Sequence, residues 1–304
     1  MNYPKVSIVI PTYNRCEALK LCFESIMLQT YPKELLELLV LDDASTDSTE
    51  KEIPESLHQM EERGIRKVSF FHNEQNVQVS ACRRILGEKA SPDSEYILFL
   101  DDDAYVIDPN CLKILVEYMI NNEDVGVVGP RIVFAKNPDK TAHTANFVGK
   151  WTGRYAEKYS KEMIECDWVI SICCLVKKTV VEKTGGFYPG YYTAHEEVDF
   201  CLRAKKYGFK VVYNPLTSAQ HDEVLSQIKR ERLYYLYRNK ILLIRRNFGF
   251  IRKIVALSLI LLFGLPKYLI ESIKFHKKIV ISEMNTIFLS IFDGLSGVTG
   301  RRVS

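Results

Sequence analysis

The feature that most constrains this chain is a repeated unit: a short apolar run, a polar turn, then a helical pattern. Residues 6–10, 38–41, 67–71, 96–100 and 125–128 read as strands, and residues 17–29, 48–63, 79–89 and 112–121 as the helices among them. Strands that are apolar along their whole length need cover on both faces. The unit therefore predicts an α/β fold with a mostly parallel central sheet flanked by helices. With 304 residues, 47% hydrophobic and 26% charged, the chain has the apolar surface for such a core. Ligands of open parallel sheets lie beyond the carboxyl ends of the strands, so the residues just after each strand carry the functional reading.

Three strand ends are polar. The first is followed by Pro11-Thr12-Tyr13-Asn14-Arg15, the second by Asp42-Asp43-Ala44-Ser45-Thr46-Asp47, and residues 96–100 by Asp101-Asp102-Asp103. Ser45 to Asp47 suit either a binding loop or the cap of the next helix. Capping explains at most one of three consecutive aspartates, because adjacent carboxylates repel unless a cation offsets them. On an extended strand end, alternation aims Asp101 and Asp103 at one ligand and Asp102 away from it.

Two common nucleotide motifs are absent. No GxGxxG follows the first strand and no GxxxxGK[ST] loop occurs, which argues against a dinucleotide-dependent dehydrogenase and a P-loop NTPase. Eight cysteines form no CxxC pair, and reduced thiols are expected. The apolar opening stops at Pro11, too soon for a secretory signal.

Those three segments, together with His195-Glu196-Glu197-Val198-Asp199-Phe200-Cys201-Leu202-Arg203, occur in order within residues 4–222 and resemble the family 2 glycosyltransferases of the GT-A fold. The resemblance is nearest to members that build surface polysaccharides, rhamnosyltransferase-like ones included. It implies an inverting transfer from a UDP- or dTDP-type nucleotide-diphosphate sugar to a hydroxyl of a glycan or lipid-linked acceptor, with Mg²⁺ or Mn²⁺. It further implies that Pro11 and Tyr13 pack on a pyrimidine and that Asp43 accepts its N3–H, which suits uracil or thymine. Arg15 and Arg83 become partners for the diphosphate, although Arg83 also reads as a solvated helix residue. Asp101 and Asp102 join the nucleotide-sugar site. Asp103 leads the metal ligands, with Asp101 beside it and His221 on the metal or a phosphate; an ordinary loop histidine is the other reading of His221. Glu197 aligns with the base that deprotonates the acceptor, where Asp is usual, and Glu196 is its rival. A helix start that is acidic for its dipole alone is the plainer alternative. Asp199 and Arg203 are expected to pair across one helical turn. The loop 185–192 is expected to close over donor and acceptor with its aromatic faces. Gln78 and Arg84 stand where the family usually has Gly and Asn.

Charge divides the chain. From Lys229 onward there are 15 Lys/Arg and 4 Asp/Glu, against 26 and 34 before it. We expect a catalytic unit over residues 1–228 and a basic, apolar helical extension over 229–304. Residues 254–266 carry no charge, but a bilayer span needs about 20 residues. The extension is therefore expected to lie on an anionic membrane surface, or to pack on the catalytic unit as a helical subdomain. Its Leu, Ile and Phe content argues against nucleic acid. The implied location is cytoplasmic, peripheral on the inner face of the cell membrane. Two rival readings are a catalytically silent, membrane-associated scaffold that binds nucleotide sugars, and a sugar-phosphate nucleotidyltransferase. The latter needs a Gly-rich loop where this chain has Pro11-Thr12-Tyr13-Asn14.

Overall fold

The computed structural model describes residues 3–222, 230–264 and 281–302. Its first part alternates β1 (Val6–Thr12), α1 (Cys16–Met27), β2 (Leu36–Asp42), α2 (Thr49–Glu62), β3 (Lys67–His72), α3 (Gln78–Lys89) and β4 (Tyr96–Leu100). After β5 (Ala104–Tyr105) and α4 (Cys111–Ile120) comes a strand-rich stretch: β6 (Val125–Phe134), β7 (Asn137–His143), β8 (Ala145–Val148), β9 (Tyr155–Lys158), β10 (Ile164–Cys166) and β11 (Cys173–Lys177). It is followed by α5 (Lys178–Thr184), α6 (Glu196–Lys206) and β12 (Lys210–His221).

The main sheet runs β10-β12-β6-β11-β4-β1-β2-β3, with β5 beside β12 and β7 beside β6. β1 is parallel to β2 and β4, and β2 to β3, which is the parallel block that strand-helix alternation requires. β11 enters antiparallel between β4 and β6 and makes the sheet mixed. Alternate strand residues serve opposite layers. Ile8, Ile10, Leu38, Val40 and Leu98 meet Leu19, Ile26, Ile53 and Leu115 of α1, α2 and α4. Val9, Leu39, Ile97 and Phe99 meet Leu86 of α3, Val180 of α5 and Phe200 of α6 on the other side.

Three helices follow: α7 (Arg230–Asn247), α8 (Phe250–Leu259), which continues as a π turn through Gly264, and α9 (Ile281–Ser296). Ile287 and Ile291 of α9 pack on Ile241 of α7. Among the described residues no helix is long and apolar enough to cross a membrane. The division expected at residue 228 falls within 223–229, and Pro266 within 265–280; both segments lie outside the described residues.

Candidate active site

The carboxyl ends of β1 and β2 are tied into one surface. The Asp43 amide donates to Thr12 O at 2.9 Å, and the Asn14 amide to Ser45 Oγ at 2.8 Å. Asn14 Oδ1 accepts from the amides of Thr46 (2.7 Å) and Asp47 (3.3 Å). Asp47 does cap, and twice: it accepts the Thr49 amide at the start of α2 and the Cys16 amide at the start of α1. Asp43 Oδ1 accepts from the Val77 amide (2.8 Å) and the Asn73 side chain (2.9 Å), while Oδ2 accepts from the Gln78 amide (2.7 Å). A carboxylate oxygen has two lone pairs, so Oδ2 keeps capacity for one further donor. Pro11 is buried in β1 opposite Leu41, and Tyr13 projects beyond it, 44% exposed.

Among the described residues, the non-glycine positions with positive φ are Asn14, Ala44, Gln78, Tyr192, Ala194 and His195. All lie on these loops or on the approach to α6. A left-handed backbone costs an L-residue about 1–2 kcal/mol, and such strain collects where geometry matters more than stability. Gln78, at φ 69°, lies in the left-handed region that favours glycine, the residue that the resemblance expects here. Gln78→Gly should therefore hold or raise the melting temperature. Gln78→Val should cost about 2 kcal/mol, because a branched Cβ resists this region. Superimposable thermal melts for the two variants would show that the position is not strained.

The aspartates do not alternate as an extended strand would. β4 ends at Leu100, and the Ala104 amide donates to Asp101 O at 3.1 Å, closing a turn that aims Asp101 away from Asp102 and Asp103, which meet at Arg15. Asp101 turns to Arg83 (2.5 Å). Asp102 is buried, accepts the Thr12 hydroxyl at 2.8 Å, and lies 3.4 Å from Arg15. Burial pushes its carboxyl up to about 6, against the pull of Arg15 and Thr12. Asp103 pairs with Arg15 and lies 3.3 Å from His221 Nε2. The last contact follows from topology: β12 pairs with β5, and the Asp222 amide donates to Asp103 O.

Asp101, Asp103 and His221 are thus not one cluster of three ligands, because Asp101 is drawn off by Arg83. Among the described residues, the three-residue group with ligand atoms within 4.8 Å of one another is Cys16, Glu17 and Glu52. Asp103 and His221 do face each other. One carboxylate with one imidazole is a donor set that Mn²⁺ accepts, the remaining positions being left for diphosphate oxygens and water.

Arg83 corrects both expectations made for it. Its side chain is 4% exposed and lies between Asp101 (2.5 Å) and Glu196 (3.0 Å), neither on a solvated face nor open to a diphosphate. Burial opposes its charge, but the two carboxylates hold it positive. This guanidinium joins the aspartate turn to the start of α6. Glu196 Oε2 is buried without a hydrogen-bond partner, and burial raises the Glu196 carboxyl against the pull of Arg83. Glu197 is half-buried and makes no ion pair with a described residue; burial and the Glu196 charge push it up to about 8. Asp199 and Arg203 pair at 2.7 Å.

The aromatic loop differs from expectation. Phe187, Tyr191 and Tyr192 are buried, with Phe187 stacked on Phe200 at 4.5 Å and Tyr192 against Tyr235 at 4.7 Å. Phe187 fills the core beside Phe99, Tyr191 belongs to the same cluster, and Tyr192 joins a separate buried cluster with Tyr234 and Tyr235. His195, at the start of α6, is held by Tyr155 Oη at Nδ1 (2.8 Å) and by Leu236 O at Nε2 (3.1 Å). A carbonyl only accepts, so Nε2 carries the proton and the Tyr155 hydroxyl donates to Nδ1. Burial, with Lys240 nearby, lowers this histidine to about 3 and keeps it neutral. Thr12, named in the sequence only as part of the first polar strand end, also shapes the site, as do Asn73, Tyr155, Arg238 and Asn239, which escaped the sequence reading. Composition does not single out Arg238 and Asn239, because α7 mixes charged and apolar residues along its whole length.

The family model described as Glycosyl transferase family 2 matches residues 7–185, more than half of the chain. The O-antigen biosynthesis protein RfbC of Myxococcus xanthus is 28% identical over 239 residues, covering 74% of this chain and 18% of RfbC, so the chain spans under a fifth of that relative. An uncharacterized glycosyltransferase of Methanocaldococcus jannaschii is 28% identical over 246 residues, covering 78% of this chain and 79% of its own length. Among solved structures, S. aureus TarS 1–349 in complex with UDP-GlcNAc aligns with a TM-score of 0.65 at 16% identity, covering 97% of this chain and 81% of that one. The mannosyltransferase PcManGT of Pyrobaculum calidifontis, in complex with GDP-Man and Mn²⁺, aligns with a TM-score of 0.60 at 15% identity, covering 97% and 87%. At these identities the structural likeness establishes the GT-A fold.

Proposed function

The chain belongs to glycosyl transferase family 2, and from that premise we propose that it moves a sugar from a UDP- or dTDP-type nucleotide-diphosphate sugar to a hydroxyl of a glycan or lipid-linked acceptor, with inversion and with Mg²⁺ or Mn²⁺. One observation carries this reading: Arg83 brings the aspartate turn at the end of β4 against the acidic start of α6. Pro11, Tyr13 and Asp43 receive the pyrimidine, and the free lone pair on Asp43 Oδ2 accepts its N3–H. Asp102, with Thr12, shapes the floor of the site. Asp103 and His221 would hold the divalent cation, which when bound neutralises charge on the departing diphosphate. Arg15 stands beside them as a cation for the same diphosphate. Glu197 takes the proton of the acceptor hydroxyl. Its raised carboxyl lies near neutral pH, where a base is most effective. Glu196, held by Arg83, is the weaker candidate.

A thermal-shift panel of UDP-, dTDP-, GDP- and CMP-linked sugars, with and without Mn²⁺, tests the reading. Stabilisation by a UDP or dTDP sugar that requires Mn²⁺ is expected. No response to any donor would refute it.

The extension supplies the membrane partner of this proposal and its peripheral, cytoplasmic-face location. α8 and the turn after it expose Phe250, Ile251, Ile254, Leu262 and Phe263 next to Arg252 and Lys253, and α9 exposes Phe288 and Phe292. Apolar side chains flanked by cations suit an anionic bilayer surface. The protein should co-sediment with vesicles containing anionic lipid and not with neutral ones; equal recovery with both would exclude the electrostatic part.

A further inference from the structure

The backbone leading into α6 is strained and externally held. Tyr192 lies at φ 66° and ψ −64°, and the Thr193 amide donates to Tyr191 O at 2.8 Å, a γ-turn of the rare positive-φ kind. Ala194 (φ 66°) and His195 (φ 69°) are also left-handed. Three such residues in four, none of them glycine, cost several times the roughly 1–3 kcal/mol of one outlier and persist only where the surroundings over-determine them.

Besides Tyr155 on His195 and the Gly300 amide on Gly190 O, the main surroundings are one turn of α7. Arg238 and Asn239 are both fully buried. Arg238 Nη2 donates to Gly190 O (3.2 Å) and Tyr191 O (2.9 Å). Asn239 Nδ2 donates to Tyr191 O (2.8 Å), Thr193 O and Ala194 O (3.0 Å). Arg238 Nε donates to Asn239 Oδ1, which fixes the amide with its nitrogen toward the loop. Leu236 O, from the same turn, accepts a hydrogen bond from His195 Nε2. Four carbonyls of residues 190–194 therefore close on two side chains from one helix, and Glu196 and Glu197 begin directly after them. A buried guanidinium is a costly way to fill space; well-packed apolar residues would usually serve stability as well.

We propose that Arg238 and Asn239 are positioning residues: they hold residues 190–195 in the strained path that sets the direction of Glu196 and Glu197. This rests on the proposed function. It makes the extension part of the catalytic apparatus and not only an anchor, since residues beyond 229 fix the geometry of the base. Misplacing a catalytic group by about 1 Å can cost about 10²-fold in rate.

The test uses the full chain and, as substrate, the donor giving the largest thermal shift, hydrolysed with water as acceptor. Asn239→Ala and the milder Arg238→Lys are compared with wild type and with Glu197→Gln. Both clamp variants should fold, bind donor with an affinity within about threefold of wild type, and lose about 10²-fold in kcat. The pH midpoint of the remaining rate should move, since the carboxyl no longer sits in the same surroundings. Wild-type kcat and pH midpoint in a folded Arg238→Lys or Asn239→Ala protein, alongside an inactive Glu197→Gln, would overturn the positioning role and leave the proposed function standing. A wild type that neither binds nor hydrolyses any donor would remove the proposed function and this inference with it.

Discussion

Glu197→Gln should lower turnover about 10²- to 10⁴-fold while leaving donor binding intact, since an amide fills the same space and cannot take a proton. The same change should raise stability at alkaline pH. The Glu197 carboxyl is pushed up to about 8 in the folded protein, by burial and then by the Glu196 charge. An unfolded glutamate titrates near 4.3, so ionising Glu197 opposes folding progressively from about that pH upward, fully above 8. The Gln variant escapes this. Its melting temperature should match wild type near pH 4 and exceed it near pH 8.5. In the wild type the rate should climb as pH rises toward 8 and then level, and the Gln variant should lack that limb. Full activity in Glu197→Gln, or a melting advantage independent of pH, would move the base to Glu196 or elsewhere.

Asp103→Ala should abolish the Mn²⁺-dependent part of the donor thermal shift and cost at least about 10³-fold in kcat, equivalent to about 4 kcal/mol of transition-state stabilisation. The fold should survive. Arg15 keeps Asp102 as a partner and is itself 47% exposed, so little stability rests on the contact that is lost. Asp101→Asn should behave differently: it unbalances a buried Arg83 and should fail first in stability. An Asp103→Ala protein that still needs Mn²⁺ for its donor shift would place the metal on other residues.

The parallel block was legible because β1, β2 and β4 are buried on both faces and are therefore apolar along most of their length, with the buried Ser7 and Glu37 as the interior exceptions. Their polar ends were legible for the same reason, as abrupt breaks in that pattern. What followed was not. β7, Asn137–His143, is largely exposed and carries no apolar alternation, and strand direction, as at β11, has no local signature. The separate aims of Asp101 and Asp103 depend on a turn that starts one residue after β4, a boundary that composition does not mark. The burial of Arg83 and the grip of Arg238 on residues 190–191 are contacts between segments far apart in the chain. A helix-face reading of either arginine sees only its neighbours one turn away.

Arg15 is an internal counter-ion to Asp102 and Asp103. On the proposed assignment, a divalent ion arriving by itself would have to compete with a positive charge already in place, so its affinity would not be set by Asp103 and His221 alone. A diphosphate would offer the guanidinium another anion and release the carboxylate. By thermodynamic reciprocity each arrival would then tighten the other, and between turnovers Arg15 offsets part of the charge of the two carboxylates.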